Sequence, residues 1–150
     1  MCIGELFLQC GETCSRHLKR VMDIILISIE AVFQISDKNY SEVLQESICE
    51  TLMCIFHGLN EPNPNRALGE YVKYVFKFVA LSTEKVRHPK LDYVKDAMVL
   101  LADITSFYPS ESRAALTHEF IADRLAILNK YNADGHLTRD ITYLRQTFHI

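Results

Sequence analysis

Glycine and proline are scarce in this 150-residue chain, at five and four. They fall between periodic segments rather than within them. No run of period two is bounded by closely spaced turn residues, which excludes a sheet-based architecture. Long hydrophobic runs are missing too. The longest, Ile24 to Ile29, falls far short of the ~20 apolar residues that a membrane span needs, so no membrane insertion is expected. A large charge of one sign is lacking: 16 basic against 19 acidic residues leave a net charge of -3. That balance does not favour non-specific binding to nucleic acid. The cysteines are odd in number, at positions 2, 10, 14, 49 and 54. Glu5 interrupts the apolar start that a secretory leader would need, so five reduced thiols in an intracellular protein are the expectation.

What is present is helical periodicity, in a chain 49% hydrophobic and able to build one compact unit or a short repeat array. Cys2–Cys10 reads as a helix that begins without a cap and stops at Gly11. Its apolar residues Ile3, Leu6 and Phe7 are expected to be partly uncovered. Ser15–Ile35 reads as a long amphipathic helix with Leu18, Met22, Ile25, Ile29, Val32 and Phe33 inward. After a turn at Ser36–Asn39, Ser41–Leu59 follows, its core face formed by Leu44, Ile48, Leu52, Ile55, Phe56 and Leu59. Asn60–Asn65 (NEPNPN) breaks the chain. Arg66–Thr83 carries Tyr71, Val72, Val75, Phe76 and Val79, and Glu84–Pro89 is a linker whose Pro89 suits a helix start. Leu91–Pro109, Ser112–Lys130 and Leu137–His149 complete seven helices, with a turn at Asn132–Gly135.

Gly11, Gly58 and Pro109 end every second helix, at intervals of roughly 50 residues, slightly above the ~40–47 of HEAT-type repeats. The expected fold is therefore all-α, a superhelical solenoid of about three stacked helix pairs plus a leading inner helix. A compact seven-helix bundle is the alternative.

Charge divides between the two layers of such an array. The first, third, fifth and seventh helices carry Glu5, Glu42, Glu46, Glu50, Asp92, Asp96, Asp103 and Asp140. Lys90, Lys95, Arg139 and Arg145 stand against these, toward helix starts or in the last turn. The other three helices hold Arg16, Lys19, Arg20, Arg66, Lys73, Lys77, Arg113, Arg124 and Lys130. One surface is thus acidic and its opposite mixed to basic. On the fifth helix Val94, Met98, Leu101, Ile104 and Tyr108 line one side, while Asp92, Asp96, Val99 and Asp103 line another, with no basic residue at i+4 from any of the three carboxylates. Glu42, Glu46 and Glu50 recur at i, i+4 and i+8. A groove lined by carboxylates attracts cationic ligands; an ordinary solvated face is the plainer reading.

Sharper chemistry finds little support. Cys10, Cys14 and His17 have helical spacing for zinc, but Gly11 interrupts the helix and no fourth ligand follows. Cys49 and Cys54 diverge by roughly 140° around a helix, which separates any Cys–His nucleophile near His57. Asp96 and Asp103 lie about two turns, ~10 Å, apart, and no oxyanion donor accompanies them. Tyr71, Tyr74, Phe76 and Phe78 suit a core and its rim better than a base-stacking platform. No enzyme activity, metal or cofactor is expected.

The order of segments resembles a known family. CIGELFLQCGETCSRHLKRVMDIIL looks like the end of one importin-beta HEAT repeat running into the next, and YSEVLQESICETLMCIFHGL is similar to the following inner helix. VKDAMVLLADITSFYP resembles the inner helix of the penultimate repeat, and LTRDITYLRQTF sits where the final helix falls. The resemblance runs in the same order along essentially the whole chain. It implies that residues 1–150 are a single HEAT-repeat array, the C-terminal part of a longer nuclear transport receptor of the importin-beta (karyopherin-beta) family. It implies a non-enzymatic role in moving cargo between cytoplasm and nucleus at the nuclear envelope and pore. The expected partner is the basic helix of an importin-alpha-like adaptor, or a basic cargo; Ran GTPase and nucleoporins would engage other repeats. By position, partner binding falls on Glu42, Glu46, Glu50, Asp92, Asp96, Asp103, Asp140 and Tyr143. The family often places a tryptophan on the last inner helix; Tyr143 stands there instead, and the chain has no Trp. A HEAT scaffold with no role in transport, holding a larger complex through apolar contacts, is the second reading.

Overall fold

The structure, a computed structural model, describes residues 2–60, 63–84 and 91–150, and the side chains of Leu91 and Asp92 fall outside that description. Of the linker expected at Glu84–Pro89, only Glu84 is described, as the last residue of a helix. The rest of it, the helix start at Pro89 and the counter-charge Lys90 lie outside the described residues, as do Glu61 and Pro62 of the breaker loop. Every regular element among the described residues is helical. The chain divides into two compact units, one up to Tyr71 and one from Val72.

The first unit holds α1 (Ile3–Cys10), a 3-10 turn (Gly11–His17), α2 (Leu18–Val32), α3 (Lys38–Asn60) and the short α4 (Arg66–Gly69). Contrary to expectation α1 is capped: Glu5 Oε2 accepts the Cys2 backbone N–H at 2.7 Å, satisfying one of the orphan donors at a helix start. Gly11 does end α1, with φ +52, a conformation that glycine adopts without a Cβ penalty. The chain then enters the 3-10 turn directly, so α2 begins at Leu18 rather than Ser15. Asp37 caps α3 by accepting the Tyr40 N–H at 3.1 Å. Ser41, buried, donates its hydroxyl to the Val32 carbonyl at 2.8 Å. That bond ties the end of α2 to the first turn of α3.

Packing in this unit is by close backbone approach. Gly58 lies inside α3 rather than ending it. A Cβ built there would stand 2.1 Å from the Phe7 carbonyl oxygen, and one at Gly4 would stand 3.1 Å from both the Cys54 Cβ and the Thr51 Cα. The absence of side chains at Gly4 and Gly58 is what lets α1 lie directly on α3. Ile3 and Leu6 stay 45% and 37% exposed, as expected, but Phe7, expected to be partly uncovered with them, is buried in that contact at 2% exposure. Leu18, Met22, Ile25 and Val32 of α2 and Ile48, Leu52, Ile55, Phe56 and Leu59 of α3 are buried as expected. Phe33 is exposed instead, because α2 stops one residue before it.

The second unit holds α5 (Val72–Glu84), α6 (Leu91–Phe107), α7 (Pro109–Ala115), α8 (His118–Lys130) and α9 (Thr138–Phe148). Two expected helices are split. Arg66–Thr83 divides at Glu70–Tyr71 between α4, capped by Asn65 on the Ala67 N–H at 3.0 Å, and α5. Ser112–Lys130 divides at Leu116–Thr117, where Leu116 turns to extended backbone and Thr117 Oγ1 accepts the Phe120 N–H at 3.3 Å to start α8. Pro109, expected to end a helix, opens α7 at its first position; it has no N–H to leave unsatisfied there. Gly135, at φ +79, makes the turn into α9, and Asn132 Oδ1 accepts the Leu137 N–H at 2.8 Å.

Within each unit a helix touches its sequence neighbour and another helix two or three places along. In the first unit α3 packs on α2 and on α1. In the second, α5 packs on α6 and α7, while α9 packs on α8 and α6. Contact with a partner and with the equivalent helix of the next repeat is the packing of stacked helix pairs, as the HEAT reading requires.

Candidate partner-binding surface

On α3 the core residues occupy one side and leave Glu42, Glu46 and Glu50 on another. Glu42 and Glu50 are exposed and Glu46 is half-buried. Cys54 follows Glu50 by one turn on α3; burial pushes its thiol pKa upward, and Cys2, Glu5 of α1 and Glu50 add to that. Carboxylates on two neighbouring helices thus both disfavour the anionic form of this thiol.

On α6 the apolar side is deeply buried. Val94, Met98, Leu101 and Ile104 have no exposed surface, and Ala97, Leu100 and Ala102 join them. Asp92 is a helical residue whose side chain is outside the description. Asp96 has an intramolecular partner that helical i+4 spacing does not reveal: Lys95 Nζ lies 3.1 Å from its Oδ1. Adjacent residues diverge around a helix, but a four-carbon stem can swing back. A part-exposed pair of this kind contributes roughly 0–1 kcal/mol, so a stronger cation could displace it.

Asp103 and Tyr143, 40 positions apart, meet where α6 packs on α9. The Tyr143 hydroxyl donates to Asp103 Oδ1 at 2.6 Å. Burial pushes the Tyr143 pKa upward, and the hydrogen bond to Asp103 and that carboxylate's charge push it the same way. The neutral phenol is thus held as donor. Asp140, half-buried, stands one turn before Tyr143 on α9 and so shares its side of the helix. The basic residues of α9 are placed apart from this pair: Arg139 is exposed, and Arg145 Nη2 reaches back to Asn129 Oδ1 at 3.4 Å.

One supposed surface cation is internal. Arg124 is only 8% exposed; its Nε donates to Thr83 Oγ1 at 2.9 Å, and its guanidinium lies 4.9 Å from the Phe120 ring centroid. Burial lowers its pKa, with Asp123 and Glu84 opposing. The Cys10–Cys14–His17 and Cys49–Cys54–His57 groups form no metal cluster among the described residues, and all five cysteines are free thiols.

Stacked helix pairs with an acidic stripe are a description many proteins fit. A family profile narrows it. Residues 1–127 match the importin subunit beta-1-like, TPR repeats family. This chain belongs to that family. The match covers α1 to α7 and most of α8, and leaves α9, with Asp140 and Tyr143, beyond it. No curated protein and no solved structure gives a match. Importin-beta-like repeats belong to non-enzymatic transport receptors with protein partners, and the chain is a repeat segment of that receptor type. Among the described residues no helix is long and apolar enough to cross a membrane.

Proposed function

We propose that this chain is a partner-binding segment of a nuclear import receptor, working between cytoplasm and nucleus at the nuclear pore. Its acidic side chains receive a basic helical segment of an importin-alpha-like adaptor or of a cargo protein. Glu42, Glu46 and Glu50 serve in the first unit, and Asp92, Asp96, Asp103, Asp140 and Tyr143 in the second. Ran GTPase and nucleoporins engage other repeats of the receptor. The observation that carries this reading is the family match over residues 1–127.

The Asp103–Tyr143 hydrogen bond supports it chemically. A carboxylate fixed by a phenol loses less freedom on meeting a guanidinium, and an aromatic ring beside it offers ~0.5–1 kcal/mol to a cation at an exposed site. Each exposed ion pair adds only ~0.2–1 kcal/mol, so tight binding comes from several pairs along one ligand helix. Such binding steers approach and weakens with salt, since the Debye length falls from ~10 Å at 0.1 M to ~3 Å at 1 M.

The test is titration of a fluorescent basic adaptor helix against charge reversals at exposed positions. Glu42→Lys with Glu50→Lys should weaken binding about tenfold or more, and Glu30→Lys with Asp123→Lys on helices of the other layer should not. Equal losses in the two double variants would reject the acidic surface as the site. A second reading, a HEAT scaffold, is favoured by Ile24 and Ile27, exposed at 55% and 67% on α2; it requires binding that salt leaves unchanged.

A further inference from the structure

Cys10 is the last residue of α1, and Cys14 lies in the 3-10 turn that follows. Gly11 stands between them at φ +52 and ends the helix, yet the two thiols stay together. The Cys14 Sγ lies 3.8 Å from the Leu6 carbonyl oxygen. In an α-helix that carbonyl accepts the N–H of the residue four places on, which here is Cys10. The Cys14 thiol therefore sits over the last turn of α1, beside Cys10. Cys10 is exposed and Cys14 half-buried, so solvent reaches the first directly. The Cys14 pKa agrees with this placement. Desolvation raises it, followed by the charge of Cys10 and a hydrogen bond with the Cys10 side chain, while Arg16 opposes. Among the described residues no group of three metal-ligating side chains includes the pair. What remains is two thiols within hydrogen-bond reach of each other, one of them open to solvent.

We propose that Cys10 and Cys14 are a dithiol site that takes a small-molecule disulfide of the glutathione type and closes into a Cys10–Cys14 bridge. The Cys10 thiolate attacks one sulfur of the disulfide; a new S–S bond forms to Cys10, the old one breaks, and one thiolate leaves with its electron pair. The Cys14 thiolate then attacks the Cys10 sulfur of this mixed disulfide and expels the second thiolate. Two protein thiols are oxidised, one disulfide is reduced to two thiols, and the two protons given up by the cysteines go to the leaving groups. Cys10 reacts first because it is exposed, and Cys14 second because desolvation keeps it protonated to higher pH. The bridge ties the end of α1 to the turn that leads into α2, and excess thiol reverses it. The site uses none of the residues assigned to partner binding.

The experiment treats the full chain with oxidised glutathione, quenches with acid, alkylates the remaining thiols and reads mass. Two of the five thiols should escape alkylation, with no glutathione retained at Cys10. Cleavage after Glu5 and Glu12 separates Cys2, Cys10 and Cys14, so the bridge appears as residues 6–12 joined to residues 13–30. Cys14→Ser should instead hold one glutathione on Cys10, and Cys54→Ser should form the bridge as the parent does. The ratio of bridge to mixed disulfide at Cys10 should be about tenfold or more higher in native buffer than in urea, because the fold holds Cys14 beside Cys10. Glutathione retained on Cys10 in the parent as in Cys14→Ser, no reaction at Cys10, a bridge to another cysteine, or a ratio unchanged by urea would each overturn the assignment.

Discussion

Tyr143 of α9 donates its hydroxyl to the Asp103 carboxylate of α6 at 2.6 Å. The bond joins two residues assigned to partner binding and also locks two neighbouring helices, so Asp103 has both a structural and a binding role. Charge reversal at Asp103 would confound the two, which is why the binding test above rests on Glu42 and Glu50.

Removing this hydroxyl should cost stability. Tyr143→Phe leaves a half-buried carboxylate short of a donor, a loss of about 1–3 kcal/mol, read as a lower midpoint in urea unfolding. The same bond predicts a pH dependence. The folded pKa of Tyr143 is raised, so its contribution is fully present below the unfolded value of ~10 and is lost as pH rises through the folded value. Between pH ~9 and ~12 the Tyr143→Phe variant should lose stability less steeply than the parent. Parallel curves would show that Tyr143 is not the group concerned.

Gly58→Ala should damage the first unit severely, because the new Cβ would meet the Phe7 carbonyl at 2.1 Å and backbone cannot yield as a side chain does. A loss of about 1–3 kcal/mol or more is expected, as for overpacking in a core. Gly4→Ala, with nearest atoms at 3.1 Å, should cost less. Hydrogen exchange checks both: amides of α1 should lose protection most in Gly58→Ala.

Arg124 and Thr83 form a buried pair whose two halves are not equivalent. Thr83→Val removes the acceptor and leaves a buried guanidinium N–H unmatched, at about 1–3 kcal/mol. Arg124→Met removes the charge and keeps much of the volume, and should be nearer neutral. Thermal unfolding of the two variants gives the comparison; a larger loss in Arg124→Met would show that the cation itself stabilises the unit.

Thiol chemistry should follow burial. Cys2 and Cys10 are exposed and should be alkylated first at pH 8. Burial and then neighbouring Cys10 raise the pKa of Cys14, and Cys54 is raised as described, so both should lag. Cys49, 1% exposed, should react only on unfolding. Mass spectrometry of timed samples reads the order, and early labelling of Cys54 would contradict it.

The helices, their apolar faces and the membership of the importin-beta-like family were legible in the sequence. Helical periodicity is local, and residues such as Val94, Met98, Leu101 and Ile104 must share a side of any helix they form. Breaks were legible less well. Gly58 reads locally as a terminator, yet in the fold it is a contact with α1, and Pro109 reads as a stop although its ring suits a helix start equally. The choice between these uses depends on what packs alongside. The acidic stripes could be counted from spacing, but their partners could not. Lys95 reaches Asp96 through a flexible stem, Tyr143 reaches Asp103 across 40 positions, and Arg124 leaves the surface for Thr83 across 41. Charge and periodicity are properties of the chain itself, while the pairing and burial of a particular charge depend on which helix the fold lays beside it.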